Sequence, residues 1–351
     1  MKKTILDFIT QHHVKNRLLL LLLLGIVVHL ILPQISSLEK SWQVLVKMNL
    51  WLVGLAFISE IICYSGYGYM LQQSLAIANQ SQSLLRSTLI VLGSNSVGMV
   101  AGGVVGNSAA VFRWTSQDDG DLEGSILASL LPSLFNNLML VILSIFGLLH
   151  LLVMHDLTKV QIISFGLMLL ILVGLIGLFI LAVHQRQRAV LLIDGWLLKL
   201  AQVRHQAHDS ETTRRQLMSL FNAWDELKKG KWEKVALGAV INSAFDMLTL
   251  YILFTAAGQN IQPGVLLTGY GLPLLLGKMA FIIPGGVGVV ESSMAALYSG
   301  MGIPHATTVV VILSYRLISF WIPGFLGFPI AAYLQTSQNN HREMKTVAPP
   351  Q

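Results

Sequence analysis

Long apolar runs follow one another along almost the whole chain, and charge is confined to short segments between them. The run LLLLLLLGIVVHLILP lies near the N-terminus. Further stretches cover about 47–70, 84–112, 125–150, 160–183, 235–257, 263–302 and 305–334. A helix of about 20 apolar residues spans the hydrocarbon core of a bilayer. In lipid the backbone must satisfy its own polar groups, which leaves helices and closed barrels as spanning structures. Runs of this length therefore predict an all-α polytopic membrane protein. Composition agrees: 54% of the 351 residues are hydrophobic and 11% are charged, against roughly 25% charged in a soluble domain. A mean hydropathy of +0.66 excludes a water-facing globule, a disordered chain and a disulfide scaffold. The single cysteine, Cys63, sits inside an apolar run. It permits no intramolecular disulfide and no cysteine-based metal centre.

The net charge of +6 does not point to nucleic acid, because the basic residues flank apolar runs as they do in juxtamembrane loops. The start, MKKTILDFITQHHVKNR, is basic and leads into the first run. No small-x-small cleavage site follows, so a retained span at about 17–34 is expected rather than a signal peptide. Residues 1–16 are then an N-terminal segment and 17–183 a first membrane half. Residues 184–234 form a linker, 235–334 a second membrane half and 335–351 a tail. The linker carries ten Lys or Arg and six Asp or Glu. Val190, Ile193, Leu197 and Leu200 make one apolar stripe in it, and Leu217, Leu220, Phe221, Trp224 and Leu227 a second. Both have helical spacing and suit helices lying in a membrane interface.

Two stretches do not read as simple spans. Residues 84–112 contain Gly93, Gly98, Gly102, Gly103 and Gly106 with Asn95 and Asn107; as one helix they would be about 43 Å long. Residues 263–302 contain Pro273, Pro284 and a run of glycines, with Lys278 in the middle. Basic segments stay on the cytoplasmic side, so both termini and the linker belong inside. An even number of crossings must then separate the N-terminus from the linker, and the linker from the tail. Counting works if 84–112 and 263–302 each enter and leave by one face. The expected architecture is about six full spans plus two glycine-broken re-entrant segments. Gly103, Gly106 and Gly120 match Gly285, Gly288 and Gly302 at an offset of 182 residues. That echo suits an inverted repeat, whose broken segments mark a substrate site at the midplane.

A charge near the bilayer centre costs about 2.5–3.5 kcal/mol on insertion scales, so such residues are functional candidates. Arg113, Lys278 and Arg316 are candidate anion contacts, arginine offering a planar fork and lysine a point charge. The Gly285, Gly286 and Gly288 turn could add backbone N–H groups if it opens a helix. Glu291 could pair with Lys278 or Arg316, or meet a cationic headgroup. Glu60 and Asp246 are secondary candidates. The asparagines and the Gly98, Gly102, Gly106 series suit helix packing. No Ser-His-Asp spacing, Walker loop or HExxH occurs. No catalytic residue, metal ligand or cofactor is therefore expected. His12, His13, His205 and His208 lie in basic solvated segments, and Asp118, Asp119, Asp121 and Glu123 in a solvated loop.

The segment FIIPGGVGVVESSMAALYSGMGIPHATTVVVILSYRLISFW carries a Pro-Gly-Gly-x-Gly-x-x-Glu turn, a Gly-Ile step and a span with an embedded Arg, at Pro284, Gly285, Gly286, Gly288, Glu291, Gly302 and Arg316. It resembles the lysylphosphatidylglycerol synthase transmembrane region, or flippase-like membrane protein, family. GGVVGNSAAVFRW resembles the family's earlier glycine-then-Arg motif, with Arg113. Many members have Glu-Arg and a later Asp in the next span, where this chain has Pro132, Ser133 and Asn137. The resemblance covers most of 15–335. It implies a lipid-handling module that translocates an aminoacylated or anionic phospholipid, or a polyprenyl-linked lipid, in a bacterial plasma membrane. In bifunctional members a separate soluble domain transfers lysine; this chain shows no room for it after the last span, so lysyltransferase activity is not expected. Two other classes fit the same features. One is a membrane subunit presenting lipid to a separate synthase or glycosyltransferase. The other is an ion-coupled small-solute transporter.

Overall fold

The computed structural model describes residues 35–101, 103–116, 122–154, 159–203, 210, 211, 213, 214, 217, 218, 232–279 and 284–347. All regular structure among them is helical. The expected span at 17–34, Gly102, Gly120, Asp118, Asp119 and Asp121 of the acidic loop, His12, His13, His205, His208 and most of the second linker stripe lie outside the described residues, while Glu123 falls in the first turn of a helix that starts at Leu122.

Helix α1 covers Ile35–Lys47 and α2 Leu50–Ile77. The stretch expected at 47–70 starts three residues later because the Asn49 side chain accepts the Trp51 N–H at 3.0 Å and caps α2. It ends later too, at a turn with Asn79 in the left-handed region (φ 58). Helix α3 (Leu84–Val100) and α4 (Val104–Thr115) follow, then α5 (Leu122–Met154), α6 (Lys159–His184) and the linker helix α7 (Arg186–Val203). The second half holds α8 (Trp232–Ala256), α9 (Pro263–Met279), a short 3-10 turn at Pro284–Gly286, α10 (Val289–Gly300) and α11 (His305–Arg316). A π turn, Leu317–Trp321, joins α11 to α12 (Ile322–Val347), which runs on into the segment expected as a solvated tail. Among the described residues, four helical stretches are long and apolar enough to cross a membrane: Leu50–Ile77, Gly124–Met154, Trp232–Ala256 and His305–Gln338. The protein is a multi-pass membrane protein. Its outer face fits that solvent: Trp51, Leu55, Ile58 and Ile61 on α2 and Leu167, Leu170 and Leu178 on α6 are exposed.

Both glycine-broken stretches are hairpins. Helices α3 and α4 pack on one another, and so do α9 and α10. The arms have matching lengths, 17 and 12 residues in each hairpin. Gly103 (φ 64) and Gly285 (φ 63), 182 residues apart, both take the left-handed backbone that reverses the chain, which a side chain disfavours. A Cβ on Gly285 would also run into the Phe320 ring. The long arms then cross between halves. Helix α3 packs on α12 and α9 on α5, while α2 lies along α8. Small residues allow each approach. Ser96 Oγ donates to Gly324 O at 2.6 Å, and Thr268 Oγ1 to Gly147 O at 3.0 Å. The expected Gly98-to-Gly106 packing is realised inside the first hairpin: a Cβ on Gly98 would lie 2.8 Å from Gly103 O, and one on Gly106 2.6 Å from Ala101 O.

The α2–α8 contact is the tightest test of this packing. A Cβ on Gly66 would lie 2.8 Å from Asn242 N, and one on Gly238 3.0 Å from Gly66 O and 2.6 Å from Met70 Cγ. Overpacking of this kind costs about 1–3 kcal/mol. Gly238→Val should lower the thermal unfolding midpoint of the purified protein by several degrees. Gly54→Ala, on the same α2 with open space around it, should leave it unchanged or slightly higher.

Candidate functional site: a charged cavity between two hairpins

Helices α2, α3, α4, α5, α8, α9 and α11, with the π turn and the start of α12, enclose a cavity of about 300 Å³. Glu60, Asp246, Lys278, Gly285 and Arg316 line it, together with Asn95, Asn107, Asn136, Asn137 and Asn242. Of the residues singled out in the sequence, these five meet on one wall system. Gly286, Gly288 and Glu291 are not part of the lining; they build the turn behind it. Arg113 is not part of it either: it ends α4, its side chain is exposed, and its carbonyl accepts from Gln338 Nε2 on α12.

Arg316 and Glu291 are bound to each other. Arg316 Nε donates to Glu291 Oε1 at 2.7 Å and Arg316 Nη2 to Gly285 O at 2.8 Å. The Arg316 guanidinium also sits 4.3 Å from the centre of the Phe320 ring. The other carboxylate oxygen, Glu291 Oε2, accepts the Gly288 N–H at 2.5 Å and caps α10 from its third position. Of the partners weighed for Glu291, the structure therefore selects Arg316. The backbone N–H of Gly288, one of the groups considered for anion binding, is taken by this cap.

Lys278 stands differently. It is exposed within the cavity, and its Nζ donates to Asn137 Oδ1 at 2.8 Å. An ammonium has three donors; the neutral amide occupies one of them and forms no ion pair with it. Lys278 is thus the cavity cation best placed to meet an incoming anion. Across from it, Asp246 accepts from Tyr270 Oη at 2.7 Å and Tyr315 Oη at 2.9 Å. Glu60, one helix away, is 5% exposed. Glu60, Cys63 and Asp246 each bring a donor atom within 4.8 Å of the others. As a metal centre the trio is thin: the phenols hold both Asp246 oxygens, and Asn242 Nδ2 donates to Cys63 Sγ and Cys63 O, each at 3.1 Å. Asn107 Nδ2 donates to Asn95 Oδ1 at 2.7 Å and ties the arms of the first hairpin.

The profile of the lysylphosphatidylglycerol synthase TM region family matches residues 18–327. The chain belongs to this family. Its curated relatives include a UPF0104 membrane protein of Methanothermobacter thermautotrophicus, 27% identical over 150 residues, which are 41% of this chain and 44% of the relative. A UPF0104 membrane protein of Pyrococcus horikoshii is 35% identical over 107 residues, 28% of this chain and 30% of the relative. Another, of Methanocaldococcus jannaschii, is 31% identical over 103 residues, 29% and 30% of the two chains. The matched regions thus span less than half the length of these relatives. Within this family member, the glycine turn and the embedded arginine form one fastened unit.

Sequence reasoning missed Tyr270, Tyr315 and Asn137 as partners of the charged groups. Tyr315 directly precedes Arg316, but each of these contacts joins residues on different helices. Breaking a buried ion pair costs about 3–5 kcal/mol. Arg316→Ala should therefore destabilise the protein strongly in thermal unfolding. Glu291→Gln should cost less, because an amide oxygen still accepts the Gly288 N–H. The double variant should lose less than the sum of the two single losses.

Proposed function

We propose that this protein moves an amphiphilic lipid, anionic or aminoacylated, between the leaflets of a cell membrane. The observation that carries this is a polar, charge-bearing cavity of about 300 Å³ walled by helices whose outer faces are apolar. Its size is at the low end of ligand pockets. It fits a headgroup, while acyl chains remain among the lipids outside. Lys278 receives the phosphodiester or another anionic group, and the asparagines supply neutral hydrogen bonds. Arg316 and Glu291 hold the second hairpin in shape, and Arg316 adds positive potential to the lining. Arg113 meets headgroups at the membrane surface rather than inside. Glu60 and Asp246 balance the charge of the chamber.

The topology that goes with this reading makes both hairpins re-entrant, from opposite faces. Non-helical backbone at membrane depth is tolerated where protein or water satisfies it, and the cavity offers both. The repeated order of span, 17-residue arm, 12-residue arm and span supports an inverted repeat, with α3 on α12 answering α9 on α5. The termini and the basic linker lie on the cytoplasmic side of a bacterial plasma membrane. Helix α7 rests in the interface through exposed Leu191, Leu192 and Trp196. The partner is a phospholipid or polyprenyl-linked lipid. No cofactor and no lysyl transfer are assigned to these residues.

The test uses the full chain in vesicles that contain fluorescent phosphatidylglycerol, with dithionite quenching to follow leaflet exchange. Wild type should accelerate exchange over empty vesicles, and Lys278→Ala should slow it by roughly tenfold, the effect of about 1.4 kcal/mol. Gly54→Ala should match wild type. Exchange equal to that of empty vesicles would remove the lipid reading. Uptake of a water-soluble anion in its place would favour a small-solute transporter, and exchange only with a separate synthase present a lipid-presenting subunit.

A further inference from the structure

We propose that the Glu60 carboxyl is a proton-binding site of the cavity, and that holding its proton is linked to binding an anionic group at Lys278. The second half of this statement rests on the lipid reading; the first does not. Glu60 is 5% exposed, and its Oε2 is buried with no hydrogen-bond partner. Cys63 and Thr249 lie beside the carboxylate, and an Asp246 oxygen lies within 4.8 Å. Asp246 is fixed as the acceptor of two phenol hydrogens, the role of an ionised carboxylate. Two like charges this close in a poorly hydrated place are not both tolerated without a positive charge between them.

A proton supplies that charge with one acceptor, the free Oε2. A sodium or calcium ion demands several oxygens; each Asp246 oxygen already accepts a phenol hydrogen and Asn242 engages Cys63, which leaves such a cation a thin ligand set. The other charged and titratable groups around Glu60 are few. On its own helix these are Cys63, Tyr64 and Tyr67. Helix α8 brings Asp246. Helix α9 brings Tyr270 and Lys278, and α11 brings Tyr315 and Arg316. Helices α3, α4 and α5 face the cavity with asparagines as their polar amides. Arg316 is already paired with Glu291, so Lys278 is the charge that an incoming anion engages.

The sign of the linkage follows. An anion on Lys278 withdraws positive charge that otherwise offsets Asp246, and the chamber then favours the neutral form of Glu60. By reciprocity, a protonated Glu60 strengthens anion binding by the same factor. Affinity for the anion therefore rises as pH falls.

The experiment is infrared spectroscopy of the purified full chain in detergent, following the C=O stretch of protonated carboxyls between about pH 5 and about pH 9. Wild type should show a titrating band that Glu60→Gln lacks. Asp246→Asn should move that titration to lower pH. Dihexanoylphosphatidylglycerol should move it to higher pH by about one unit, a roughly tenfold linkage, and calorimetry should show the lipid binding more tightly at the lower pH by the same factor. Absence of a Glu60-dependent band overturns the proton site, as does a band that sodium, exchanged for choline, abolishes. A Glu60 band unmoved by lipid that calorimetry shows to bind overturns the linkage and leaves the lipid reading standing. No calorimetric binding by wild type overturns the lipid reading and the linkage together, while the band still decides the proton site. Glu60→Gln is close to isosteric, and its size-exclusion profile reports its fold.

Discussion

The Arg316 guanidinium reaches the Glu291 carboxylate, the Gly285 carbonyl and the Phe320 ring at once. Each contact answers a need that the glycine turn creates. The turn frees a backbone carbonyl at Gly285, and a freed carbonyl in an apolar surround costs several kcal/mol if nothing meets it. The start of α10 exposes N–H groups, and Glu291 takes one of them. Glu291 then needs a counter-charge, and Arg316 supplies it from the next helix. The second hairpin can stand open beside a cavity because this chain of donors and acceptors closes on itself.

The first hairpin solves the same problem with neutral groups. Its tip is short, and Gly103 N donates to Gly98 O at 2.7 Å, so the helix end satisfies itself. The Asn95–Asn107 bond joins its arms where the second hairpin uses an ion pair. The two halves thus share arm lengths and crossing pattern but not chemistry. Charge is concentrated on the α8, α9 and α11 side, facing Glu60 on α2. One wall of the chamber carries charge, and the other is polar but neutral.

Much of this was legible in the sequence, and the limit is physical. Glycines at a fixed offset, with proline and asparagine around them, report local backbone requirements, and both breaks fall inside the stretches singled out. The charge pattern marked Glu60, Asp246, Lys278 and Arg316 as residues that must be sheltered, and they share one cavity. Which of them pair could not be read, because each partner comes from another helix: Glu291 lies 25 residues from Arg316 and Asn137 141 residues from Lys278. Arg113 shows the same limit from the other side. Its motif matched, but it sits at the last turn of α4, the end away from the hairpin tip, which carries it away from the cavity. The helix start at Leu50 depended on the Asn49 side chain, a local signal hidden within a continuous apolar run.

Charge neutrality connects the fastening of the hairpin to the transport proposed for this chamber. A chamber at membrane depth is costly when it carries net charge. Arg316 is matched by Glu291, and Lys278 is offset by Asp246 across the cavity. With a proton on Glu60 the chamber is neutral, and an anion displaces Asp246 as the counter-charge of Lys278. Without that proton the chamber already carries a surplus negative charge, and an anion would add a second. On the proposed reading, a chamber built this way admits an anionic headgroup in company with a proton and resists it alone. The same logic explains why Lys278 is held by the neutral Asn137: an acid at that position would quench the lysine permanently and leave nothing for a substrate to engage.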